Sequence, residues 1–112
     1  MLSLLLLAAA APSLPPYAVS IRCAGLAEVA ARPGKDGKPP ESGIAFDAAI
    51  YWGMAASEAA RRDGISAERF TADQKAAAAK AEAELLGPGT DALTELAVCI
   101  GRVPHAAKGQ RG

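Results

Sequence analysis

Residues 44–63 read I-A-F-D-A-A-I-Y-W-G-M-A-A-S-E-A-A-R-R-D, and Gly64 follows. At 100° per residue, Phe46, Ile50 and Met54 fall on one stripe of a helix. Trp52, Ala48, Ala56 and Ala59 fall on a second, adjacent stripe. Asp47, Glu58, Arg61 and Arg62 form the polar strip, with Tyr51 at its edge. Gly64 is suited to a left-handed terminator. So wide an apolar arc predicts the central helix of an all-α protein, covered on more than one side. Gly53 sits mid-helix, where glycine costs about 1 kcal/mol relative to alanine. Its expected role is a close helix crossing that leaves no room for a side chain.

Helical signals continue on both sides. Toward the N-terminus, Val19, Cys23, Leu26 and Ala30 share one stripe, which predicts a helix over 19–32 ending at Pro33-Gly34. Residues 33–43 hold six Pro or Gly among charged residues and read as a solvated loop. Toward the C-terminus, Ser66 can cap a third helix, although Thr71-Ala72-Asp73-Gln74 also matches a capping box. Residues 75–84 are nearly all Ala, Lys and Glu, which favour helix strongly. Phe70, Ala77, Ala81 and Leu85 make its narrow apolar stripe, and Gly87-Pro88-Gly89 stops it. Thr90 is the expected cap of a last helix over 91–100, with Leu93, Leu96 and Ile100 facing inward. The short link between the second and third helices predicts an antiparallel hairpin. The helical domain is thus expected over 19–102, and a disordered basic tail over 103–112.

The core available to this domain is thin. Of 112 residues 51% are apolar, but 28 of them are alanine, and only 19 large apolar side chains lie beyond residue 18. Small domains of that kind need a crosslink or a partner. The sequence supplies one candidate crosslink, because Cys23 and Cys99 are its two cysteines. Joining them would stabilise the fold by roughly 4 to 5 kcal/mol in the chain-entropy view. Their wide spacing is unlike the close C-x-x-C of a redox pair. The fold expected is a small four-helix bundle closed by one disulfide.

A disulfide requires an oxidising compartment. Residues 1–18 carry no charged side chain. Leu2 opens an apolar run to Ala11, broken at Ser3 and followed by Pro12, Pro15 and Pro16. That run is shorter than the roughly 20 residues a bilayer needs, and fits the core of a signal peptide. Residues 1–18 are therefore read as a leader with a short Pro-rich lead-in. The expected location is periplasmic or extracellular, with no stable membrane insertion after leader removal.

Charge and motif content narrow the function. Twelve basic residues balance twelve acidic ones, so the basic excess of a nucleic-acid binder is missing. His105, the sole histidine, lies in the basic tail with nothing to tune it as a general base. No zinc spacing, covalent haem motif, nucleophile elbow or phosphate loop occurs. No catalytic residue, metal site or cofactor is expected. Glu82 and Glu84 are two apart on a helix and do not form an acid pair. Arg102, Lys108 and Arg111 could touch an anionic surface, at about 1 kcal/mol each.

A possible contact surface is Tyr51, Trp52, Arg61 and Arg62. Aromatic and arginine side chains are enriched where proteins bind. Against that, Trp52 shares a stripe with three alanines and fits the core better, and Glu58 can pair with Arg61 or Arg62 across one turn. The expected function is a non-enzymatic protein-protein interaction module with an envelope or secreted partner. The alternatives are a small ligand carrier or minor enzyme with an inter-helix apolar pocket, and an acid-stress chaperone. The likeness to acid-stress chaperones, as to immunity or inhibitor proteins, is one of architecture alone.

Overall fold

The computed structural model describes residues 14–33, 43–89 and 91–104. Most of the expected leader, most of the expected 33–43 loop, Thr90 and the tail from His105 lie outside the described residues. The described residues form four helices: α1 (Tyr17–Ala30), α2 (Ile44–Arg62), α3 (Ala67–Leu86) and α4 (Ala92–Gly101). A disulfide joins Cys23 of α1 to Cys99 of α4. The all-α, disulfide-closed bundle expected from the sequence is the fold observed.

Helix α1 begins two residues earlier than its apolar stripe suggests. Pro16 occupies the position before Tyr17 and its carbonyl accepts from Ser20 N at 3.0 Å. Proline is tolerated at a helix start because the N–H it lacks has no intrahelical partner there. The tight exit from α2 follows the sequence closely. Gly64 adopts φ +71°, and Ile65 N donates back to Ala60 O at 2.9 Å. Ser66 then caps α3 by accepting from Arg69 N at 3.1 Å. That bond satisfies one of the donors a helix start leaves open, so the later start at Thr71 is not used.

The central helix is α1, not α2. Helix α1 packs against α2, α3 and α4, whereas α2 and α3 scarcely touch each other. The expected α2–α3 hairpin is therefore absent, and the two helices diverge from their turn to lie against α1. The cause is the small-residue character of α1. Ser20, Gly25 and Ala27 are buried along with Cys23 and Leu26, so neighbours come close on several sides. A Cβ at Gly25 would lie 2.8 Å from the backbone carbon and oxygen of Ala77 on α3. The close crossing expected at Gly53 is at Gly25 instead, and a Cβ at Gly53 would meet nothing within 4 Å among the described residues.

The core gathers Cys23, Leu26 and Ala27 of α1, Ala48, Trp52 and Ala55 of α2, Ala81 of α3, and Ala92, Leu96 and Cys99 of α4. Val103, expected in the disordered tail, continues the α4 stripe and is buried. Leu93 is exposed instead of facing inward. With Cys99 held inward by its disulfide, positions 92, 96 and 103 fall on the same side and position 93 does not. On α2 the Trp52 stripe is buried as expected. The Phe46, Ile50 and Met54 stripe is not, since α1 and α4 cover only one side of the helix.

Candidate functional site

The sequence-derived candidates separate in space. Cys23 and Cys99 are bonded, with Cα atoms 5.6 Å apart, and both are buried. Trp52 belongs to the core at 1% exposure, and its indole Nε1 donates to the backbone oxygen of Cys99 at 2.9 Å. A buried indole needs such an acceptor. Tyr51 is half-buried and stands edge-on to Trp52, with ring centroids 5.0 Å apart and planes at 84°. Arg61 and Arg62 are exposed. Arg61 pairs with Glu58 as the spacing predicts, while Arg62 pairs with Asp63, Nε to Oδ1 at 2.7 Å. Tyr51, Trp52, Arg61 and Arg62 thus do not form one continuous surface, because Trp52 points into the protein.

What α2 presents outward is the other stripe. Phe46 is 59% exposed, Ile50 48% and Met54 67%, with Ile44 also exposed near the N-terminal end. These residues were expected inside. Scattered apolar side chains at a surface are ordinary, but a run at i, i+4 and i+8 on one helix makes a continuous ridge. A contiguous exposed apolar patch on a small protein marks a contact surface. One sequence signal was available: Ser57 falls within the arc of these three residues and Gly53 borders it, and a stripe built to fill a core seldom sets serine and glycine beside its large side chains.

Charge pairs absent from the sequence reading bind α1 to its neighbours. Arg22 Nη2 lies 2.6 Å from Glu84 of α3 and 2.6 Å from Glu95 of α4, tying three helices together. The hydrogen bond from Arg22 holds the Glu95 carboxyl below the usual carboxylate range. Arg32 reaches Glu82 at 2.8 Å. Glu82 and Glu84 therefore serve two different arginines. Tyr17 stacks obliquely on Phe70 and donates to Asp73 Oδ2 at 2.8 Å. Burial first, then the bond to Asp73 and its negative charge, push the Tyr17 hydroxyl up to about 12.

Beside the disulfide, α1 and α4 leave an open groove of about 540 Å³ lined by Val19, Arg22, Cys23, Thr94, Val98 and Arg102, among others. Its floor is apolar, and the Arg22 and Glu95 charges at its edge are committed to each other. Among the described residues no group of three or more His, Cys, Asp or Glu could hold a metal ion, and no helix is long and apolar enough to cross a membrane. Comparison with known protein families, curated proteins and solved structures finds no match to the chain.

Proposed function

We propose that this chain is an exported, disulfide-braced helical module that acts by binding protein through the outer face of α2, and that it carries out no chemistry of its own. The observation that carries the reading is the exposed ridge of Phe46, Ile50 and Met54. Leaving three large side chains half to two-thirds exposed forgoes roughly 1 to 2 kcal/mol of burial for each. A chain with so few large apolar residues can ill spare three of them, and a partner surface recovers the loss. The Cys23–Cys99 bond and the apolar run over residues 2–11 support a periplasmic or extracellular setting, since disulfides persist in oxidising compartments. The partner is an envelope or secreted protein.

Site-specific photo-crosslinking in the native host tests the reading. A crosslinking residue at position 50 yields a discrete adduct, while the same residue at exposed Ala72 on α3 yields none. Equal labelling at both positions, or none at either, refutes it.

The groove beside the disulfide favours a second reading, a carrier for one apolar ligand. Native mass spectrometry of protein purified from its host decides that point. A retained small molecule supports the carrier, and a mass equal to the bare polypeptide removes it.

A further inference from the structure

The outer face of α2 carries both halves of a self-complementary contact. Phe46, Ile50 and Met54 share their arc with Ser57, Gly53 borders it, and Arg61 closes its C-terminal end. Gly53 makes no close packing contact with the described residues, since a Cβ there would meet none of them within 4 Å. Glycine is nevertheless the least favourable residue in a helix interior after proline. A hole therefore sits one position from the most exposed knob of the ridge.

We infer that α2 pairs with α2 of a second copy of the chain, antiparallel and across a two-fold axis. In the register that fits, Met54 of each copy seats on Gly53 of the other, Ile50 on Ser57, and Phe46 along the aliphatic stem of Arg61. Each large residue meets a small or flexible one, and one axis generates every contact twice. The charges agree with this direction. Asp47 lies in the first turn of α2, and Arg61 and Arg62 lie in the last. Antiparallel pairing sets Asp47 of each copy beside Arg61 of the other. Parallel pairing would set like charges together at both ends.

The inference deepens the interaction reading and rests on it, naming the partner as the chain itself. The contact runs from Phe46 to Arg61, about 22 Å of helix. It covers on the order of 400 to 500 Å² per copy, short of the roughly 800 Å² per partner of a standard stable interface. The dimer is accordingly weak and reversible.

Sedimentation of the full oxidised chain between about 5 µM and about 500 µM tests it. The mass rises from one copy to two over that range. Gly53→Leu fills the hole and Met54→Lys charges the knob, and each keeps the chain monomeric throughout with an unchanged far-UV spectrum. Asp47→Arg and Arg61→Glu each weaken association by about tenfold or more, and the two together restore it. A crosslinker at position 54, in a mixture of isotope-labelled and unlabelled chains, joins two copies near Gly53. A monomer at every concentration overturns the inference. So does a dimer indifferent to Gly53→Leu, or a crosslink from position 54 to residues 34–42 of the same copy. If the chain stays monomeric while position 50 still captures another host protein, the interaction reading stands and the self-pairing falls.

Discussion

The indole N–H of Trp52 donates to the backbone oxygen of Cys99, so the residue whose sulfur braces α4 to α1 also anchors the largest buried side chain of α2. Three helices meet at that point. The disulfide and the hydrogen bond act on one residue, and together they set how α2 and α4 are rotated toward α1.

Replacing Trp52 with Phe removes the donor and part of the ring. The lost bond is worth about 1 kcal/mol and the unfilled volume adds to it, for a total of about 2 to 4 kcal/mol. Urea unfolding followed by far-UV circular dichroism measures the change. An effect below about 0.5 kcal/mol would place the indole outside the core.

Removing the disulfide by Cys23→Ala with Cys99→Ala lowers stability by roughly 4 kcal/mol in the chain-entropy view. Both sulfurs are buried, so the native protein resists mild reductant. Thiol titration after such treatment finds no free thiol without denaturant and two with it.

Gly25 and Gly53 respond in opposite directions. Gly25→Ala drives a methyl into the Ala77 backbone and destabilises by about 1 to 3 kcal/mol, even after the gain in helix propensity. Gly53→Ala meets no described residue and stabilises the monomer by about 1 kcal/mol. Thermal melts of dilute protein compare them, and a shift of the same sign for both would refute the α1–α3 crossing.

Ser20 is fully buried and its hydroxyl has no hydrogen-bond partner among the described residues. An unpaired buried hydroxyl is costly, and alanine is the better helix former. Ser20→Ala is expected to stabilise by about 1 kcal/mol. A loss of stability in the same denaturation assay would mean that the hydroxyl is bonded.

Tyr17 supplies the pH dependence. Its folded pKa is raised from 10.0 to about 12. A group shifted upward stabilises the fold fully below its unfolded pKa, and the contribution is lost as pH rises through the folded one. Stability should therefore decline between pH 10 and about 12, and Tyr17→Phe should flatten that decline. Ultraviolet titration of the phenols should show a late-ionising tyrosine that the variant lacks.

Much of the fold is legible one residue at a time. Gly64, Ser66 and the Gly87-Pro88-Gly89 run mark helix ends because their preferences act within a turn or two of chain. The Cys23–Cys99 bond follows from the chain having two cysteines and no other pairing for them, and the Trp52 row follows from helical period. The outer ridge of α2 was not legible as a site. Periodicity shows that Phe46, Ile50 and Met54 share a face, and leaves open whether anything covers it.

Across the described residues, the amino-acid order alone determined that four helices form, roughly where each begins and ends, and which sulfurs join. Only the tertiary structure decided that α1 lies at the centre, that Gly25 and not Gly53 marks the closest crossing, and that Leu93 and the Phe46 ridge face outward. The reason is physical. Helix formation depends on contacts three and four residues away, which the chain carries with it. Rotation about a helix axis depends on what lies across the gap, and in an alanine-rich chain several faces bury similar area. A covalent bond at Cys99, a hydrogen bond from Trp52 and a missing side chain at Gly25 broke that near-tie.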